Sequence, residues 1–140
     1  MATFITSREL AANPSEVFAA VSDAERLARW WGPAGFTNTF DVCDFRPGGA
    51  WRFTMHGPDG AAYRNESVFA EIEANRKIVI EHVSAPRFTL AVELEVAEAG
   101  TLVSWTQTFE DPAVAAAIRH IVEPANEQNL DRLAAEVGAA

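Results

Sequence analysis

The stretch Asp23-Ala24-Glu25-Arg26-Leu27-Ala28-Arg29-Trp30-Trp31-Gly32-Pro33 begins as a helix and ends in two adjacent tryptophans. Ser22 is placed to cap its start, with Glu25 three residues on at the capping-box spacing. Gly32-Pro33 ends it, because glycine accepts left-handed dihedrals and proline cannot continue the turn. Neighbouring side chains on a helix point about 100° apart. The two tryptophans are therefore expected to take different places, Trp30 in the core and Trp31 at a rim or mouth.

Working outward, residues 3–11 read as a first strand. Asn13-Pro14-Ser15-Glu16 opens a short helix, with Asn13 as cap, Pro14 at the first helical position and Glu16 closing the box. Val17, Phe18 and Val21 give that helix one apolar face. From Phe36 to Phe109 the period changes from helix to strand. Residues 36–45 form a strand that ends at the turn Arg46-Pro47-Gly48-Gly49. Trp51, Phe53 and Met55 then alternate with Arg52, Thr54 and His56, which is period two. Pro58-Asp59-Gly60 is a hairpin turn, and Tyr63 to Ile72 pairs back. Ile78, Ile80 and His82 alternate with Lys77, Val79 and Glu81. Phe88, Leu90, Val92, Leu94 and Val96 form the next inward set, and Val103, Trp105, Gln107 and Phe109 the last. About six consecutive strands joined by short turns make an antiparallel meander with one dry face. Asp111-Pro112 opens a C-terminal helix whose stripe runs through Asn126, Leu130, Leu133 and Val137. Pro124 lacks the backbone donor and opposes the His120 carbonyl, which predicts a kink or break. That helix must cover the dry face, since no other element is left to do so. The fold class is α+β, in one domain over residues 1–140.

The bulk properties agree with one globular domain. The chain has 140 residues, 49% of them hydrophobic, which suffices for a sizeable core. Its formal charge of −9 argues against nucleic acid and against an anionic membrane surface. A single cysteine, Cys43, permits no internal disulfide and suits a reducing, cytoplasmic location. No signal peptide is expected from the N-terminal residues, and no apolar run approaches the roughly 20 residues of a membrane helix.

The chain resembles the family named after the activator of the heat-shock protein 90 ATPase, within the START-like (SRPBCC) superfamily. The resemblance covers nearly all of the chain. It is carried by Asn13-Pro14-Ser15-Glu16-Val17-Phe18, by Leu27-Ala28-Arg29-Trp30-Trp31-Gly32-Pro33, by Arg46-Pro47-Gly48-Gly49-Ala50-Trp51-Arg52-Phe53, and by Leu130-Asp131-Arg132-Leu133. It implies a helix-grip fold, in which a curved sheet wraps a long helix and leaves a cavity between them. It also implies ligands of the lipid, steroid or polyketide-like kind, with cyclases among the wider superfamily. Members of the family often carry tryptophan four positions before the leucine that matches Leu130, and here that position is Asn126. The eukaryotic chaperone activator has a separate N-terminal domain that 140 residues do not accommodate, so chaperone activation is not carried over.

The inward alternation sets polar groups among aromatics. Asn65 and Ser67 lie between Tyr63 and Phe69, His82 beyond Ile80, Gln107 between Trp105 and Phe109, and Asn126 on the long helix. A buried polar group left unpaired costs about 1–3 kcal/mol, so each needs a partner. That partner is a ligand, another of the same groups, or water. The candidate ligand-binding set is Trp31, Phe40, Phe53, Tyr63, Asn65, Ser67, His82, Trp105, Gln107 and Asn126. Most of the aromatics are equally well explained as core, since burial of a large side chain contributes roughly 1.5–3 kcal/mol. His56, His82 and His120 fall on different elements without ligand spacing, so neither a metal nor a cofactor is expected. Ser67 with His82 lacks a third orienting group for nucleophilic catalysis. Arg64 and Glu66 read as a surface ion pair. The expected function is binding of a small apolar or amphipathic molecule, by a chain that forms a homodimer. The alternatives are a cyclase, dehydratase or hydrolase using His82, Glu66 or Tyr63, and a chaperone-linked interaction domain.

Overall fold

A computed structural model describes residues 2–138. Strand β1 (Ala2–Leu10) leads into helix α1 (Pro14–Ser22) through a complete capping box. The Asn13 side chain accepts from the Glu16 amide at 2.9 Å, and the Glu16 carboxylate accepts from the Asn13 amide at 3.1 Å. Helix α2 (Ala24–Trp30) follows after one residue. Its cap is Asp23 and not Ser22: the Asp23 carboxylate accepts from the amides of Glu25 and Arg26 at 3.0 and 3.4 Å. Ser22 is the last residue of α1. A carboxylate there also faces the positive end of the α2 dipole, which a hydroxyl would not complement as well.

Strands β2 (Thr37–Cys43), β3 (Ala50–His56), β4 (Ala62–Glu73), β5 (Lys77–His82), β6 (Phe88–Ala97) and β7 (Gly100–Phe109) form the meander. With β1 they make one seven-stranded antiparallel sheet in the order β1-β7-β6-β5-β4-β3-β2. The register shifts between Phe40 and Val42 and again between Phe69 and Glu71. Such bulges bend a strand and increase its twist, which curves the sheet around a helix.

Helix α3 (Pro112–Gly138) fills that curve. It is continuous through Pro124, where the sequence predicts a kink or break. His120 and Pro124 are both exposed, so the carbonyl that loses its amide partner lies at the solvent side of the helix and not in the core. Two apolar clusters also hold the helix on either side of Pro124. Ala115 and Val122 pack with Phe4 and Phe109, while Leu130, Leu133 and Val137 join the main core.

Trp30 and Trp31 do not divide as expected. Both are buried, at 2% and 8% exposure, and their rings meet edge to face at 5.6 Å. Trp31 is the C-cap of α2, with ψ 135°, so it has left the helix and the 100° offset no longer governs it. The Trp30 indole donates to the Ala20 carbonyl at 2.9 Å, tying α2 to α1. The pair Arg64–Glu66 is also not formed: Arg64 pairs with Asp41 at 2.9 Å, across the intervening strand β3.

Candidate functional site

Seven residues after Asn126 on α3 comes Leu133, and between them lie Asn129 and Arg132. These two polar side chains hold the end of α2, whose last carbonyls have no partner within the helix. The Leu27 carbonyl accepts from the Trp31 amide at 3.0 Å. Ala28 accepts from the Asn38 amide group at 3.0 Å, Arg29 from the Arg132 guanidinium at 2.7 Å, and Trp30 from the Asn129 amide group at 3.3 Å. Arg132 donates further to the carbonyls of Trp31, Gly32, Pro33 and Phe36, at 2.9–3.1 Å. Burial lowers the pKa of this guanidinium. Gly32 has φ +98°, a conformation that strains any residue with a side chain, so the loop favours glycine here. The loop is thus held on α3, and the Trp31 ring meets Trp51 of β3 edge to face at 4.9 Å.

Between this loop, the inner face of the sheet and α3 lies a cavity of about 740 Å³. Of the residues expected at a ligand, Trp31, Phe53, Tyr63, Asn65, Ser67, His82, Trp105, Gln107 and Asn126 line it. Phe40 does not: it packs against Trp51 and Phe53 at 5.5 and 5.6 Å, behind the cavity wall. Tyr63 is 48% exposed and meets Phe36 at 6.0 Å, which puts it at the mouth. Ile121 of α3, 57% exposed, also reaches the lining. Met55, Ile80, Phe88, Leu90 and Asn129 are among the wall residues beyond those expected from sequence. Alternation pointed Met55, Ile80, Phe88 and Leu90 inward, and Asn129 sits three residues from Asn126 on the helix. Nothing in the sequence separated these cavity positions from core positions.

The polar groups fall into two sets. Asn126 on α3 donates to the Gln107 carbonyl oxygen at 3.1 Å, so the sheet and helix are joined by an amide pair beside the cavity. Across the sheet, His82 is 6% exposed and stacks on Phe88 at 4.5 Å. Its Nδ1 lies 2.7 Å from the Pro86 carbonyl, its Nε2 2.8 Å from Asn65 Oδ1 and 3.3 Å from Ser84 Oγ. Burial lowers the His82 pKa from its ordinary 6.5, and the bond to Pro86 opposes that shift. Ser67 stands opposite His82 in the β4–β5 register and is buried. Glu66 does not share the site: it is exposed, on the other face of β4. The arrangement offers a largely apolar space with amide, hydroxyl and imidazole groups at its sides.

The relationships of the chain agree with this geometry. A protein from Arthrobacter aurescens, solved in solution, is 26% identical and superposes with a TM-score of 0.90 over 99% of this chain and 87% of its own. A crystal structure of a protein from Chromobacterium violaceum is 24% identical, with a TM-score of 0.85 over 96% of each chain. The AHSA1 protein from Silicibacter pomeroyi is 23% identical, with a TM-score of 0.80 over 99% of each chain. These likenesses show the fold. No curated protein matches the sequence. The family model for activator of Hsp90 ATPase homolog 1-like proteins matches residues 11–138, nearly the whole of the helix-grip unit, and the chain belongs to that family.

Proposed function

We propose that this chain binds a small, predominantly apolar or amphipathic molecule in the space between the sheet and α3. The observation that carries the reading is the cavity of about 740 Å³ whose wall is aromatic and aliphatic, with a few polar groups at its sides. Sites for small molecules commonly have about 300–1,000 Å³ and this composition. A core that simply failed to pack is a weaker account, because interiors close to near-crystalline density and voids larger than a water molecule are few. The fixed loop at Trp31–Pro33 supports the same reading, since a preformed wall lowers the ordering cost of binding.

No described helix is long and apolar enough to cross a membrane. The single cysteine supports a cytoplasmic setting, and a symmetric homodimer is proposed because two-fold dimers are the commonest oligomers. Native mass spectrometry of the purified protein tests the central reading. A small molecule bound one per chain is expected, released when the protein is denatured. Bare protein that also fails to take up any member of a panel of apolar and amphipathic compounds would overturn it.

A further inference from the structure

We propose that the ligand of this cavity is an amphipathic monocarboxylate, its apolar body against the aromatic wall and its carboxylate beside Ser67 and His82, with His82 taking up one proton as it binds. The inference rests on the reading of the cavity as a ligand site.

The argument starts at the His82 ring. A backbone carbonyl only accepts, so the Nδ1 atom 2.7 Å from the Pro86 oxygen carries a proton. Asn65 donates its amide group to the Tyr63 carbonyl at 3.0 Å, which turns its own oxygen toward His82 Nε2 at 2.8 Å. Oxygen atoms therefore face both ring nitrogens. Ser84 Oγ, 3.3 Å from Nε2, accepts from the Glu66 amide at 3.1 Å and keeps its own hydrogen, so it serves either state of the ring. The two carbonyl oxygens, of Pro86 and Asn65, suit imidazolium, which donates from both nitrogens, and leave either neutral tautomer with one lone pair against an oxygen. Burial acts the other way and favours the neutral ring. The ring is thus held in the hydrogen-bond frame of its charged form without a counterion.

The surroundings show what is missing. The chain has 20 aspartates and glutamates, yet among the described residues none lines the cavity. The other titratable groups of the lining are Tyr63 and Arg64, and Arg64 is engaged with Asp41. On the far side of His82, Glu81, Arg87 and Glu110 border a separate groove, where Arg87 and Glu110 pair at 3.0 Å. A carboxylate brought by a ligand would be the counterion. Ser67 carries a hydroxyl donor directly across the strand pair from His82. A cationic ligand would meet no opposing charge here, and burying its charge unpaired is costly.

Calorimetry with 1-naphthoate and with 1-naphthalenemethanol, which has a similar body and no charge, tests the inference. Naphthoate affinity is expected to fall by roughly tenfold per pH unit above neutrality, with close to one proton taken up per ligand in buffers of different ionisation enthalpy. The alcohol should show neither effect. His82→Gln should remove the pH dependence for naphthoate. Should that variant fail to fold, nitrogen NMR of the wild-type imidazole reads the same event: the ring should pass from neutral to doubly protonated on saturation with naphthoate. Equal naphthoate affinity at about pH 6 and 8, or a ring that stays neutral when saturated, would overturn the inference while the cavity reading stands. The same holds if the alcohol binds and naphthoate does not. If neither probe binds, both fall.

Discussion

Arg132→Ala is expected to destabilise the fold by about 3–5 kcal/mol, measured by chemical denaturation. The guanidinium donates to five backbone carbonyls, those of Arg29, Trp31, Gly32, Pro33 and Phe36. Hydrogen bonds to a charged group are each worth about 1.5–3 kcal/mol, but five on one fork are not additive. Water also reaches part of the loop once the side chain is gone, so the expected loss is well below the sum. Four of the acceptors lie beyond the end of α2, and only a planar fork spans them together with the Arg29 carbonyl at the helix end. Lysine carries the same charge without that geometry. Arg132→Lys should therefore recover less than half of the loss. Full recovery by lysine would mean that charge near the helix C-terminus matters and the fork does not.

Leu133→Ala should cost about 2–5 kcal/mol, the range for removing a buried leucine when the surroundings close only partly. Leu133 and Leu130 are fully buried in the main core, where they fix the C-terminal half of α3 against the sheet and α2. The contrast is Ile121 on the same helix, which is largely exposed. Ile121→Ala should fall within about 0.5 kcal/mol of wild type, as surface changes do. A loss under about 1 kcal/mol for Leu133→Ala would contradict the docking of α3 described above.

Much of this was legible in the sequence, for physical reasons that differ between elements. Period-two alternation placed Phe53, Asn65, Ser67, His82, Trp105 and Gln107 on one face because strand geometry alone fixes which side a residue takes. The Asn13 capping box was legible because both partners lie within four residues. What stayed hidden depends on distant partners. Asn129 and Arg132 are visible as neighbours on one face of a helix, yet nothing local says that loop carbonyls about a hundred residues earlier lie opposite. Phe40 alternates correctly and pairs with Phe53, but β2 is an edge strand and shifts register next to it, so its ring packs behind the wall. Trp31 was misplaced because a single extended dihedral at the helix end breaks the helical offset. The strength of Pro124 as a breaker was overestimated because tertiary packing holds both halves of α3.

The most direct test of the cavity is to fill it from the helix side. Asn126 lines the space and is half-buried, and its amide group reaches Gln107 at 3.1 Å. A tryptophan at this position would occupy the volume that a ligand needs and would add apolar burial in exchange for one amide pair. Binding of 1-naphthalenemethanol to the wild type and to Asn126→Trp, measured together with the melting temperature of each, gives the answer. The account predicts saturable one-to-one binding by the wild type, and no binding by the variant with its melting temperature kept or raised. Undiminished binding by a folded Asn126→Trp would contradict it.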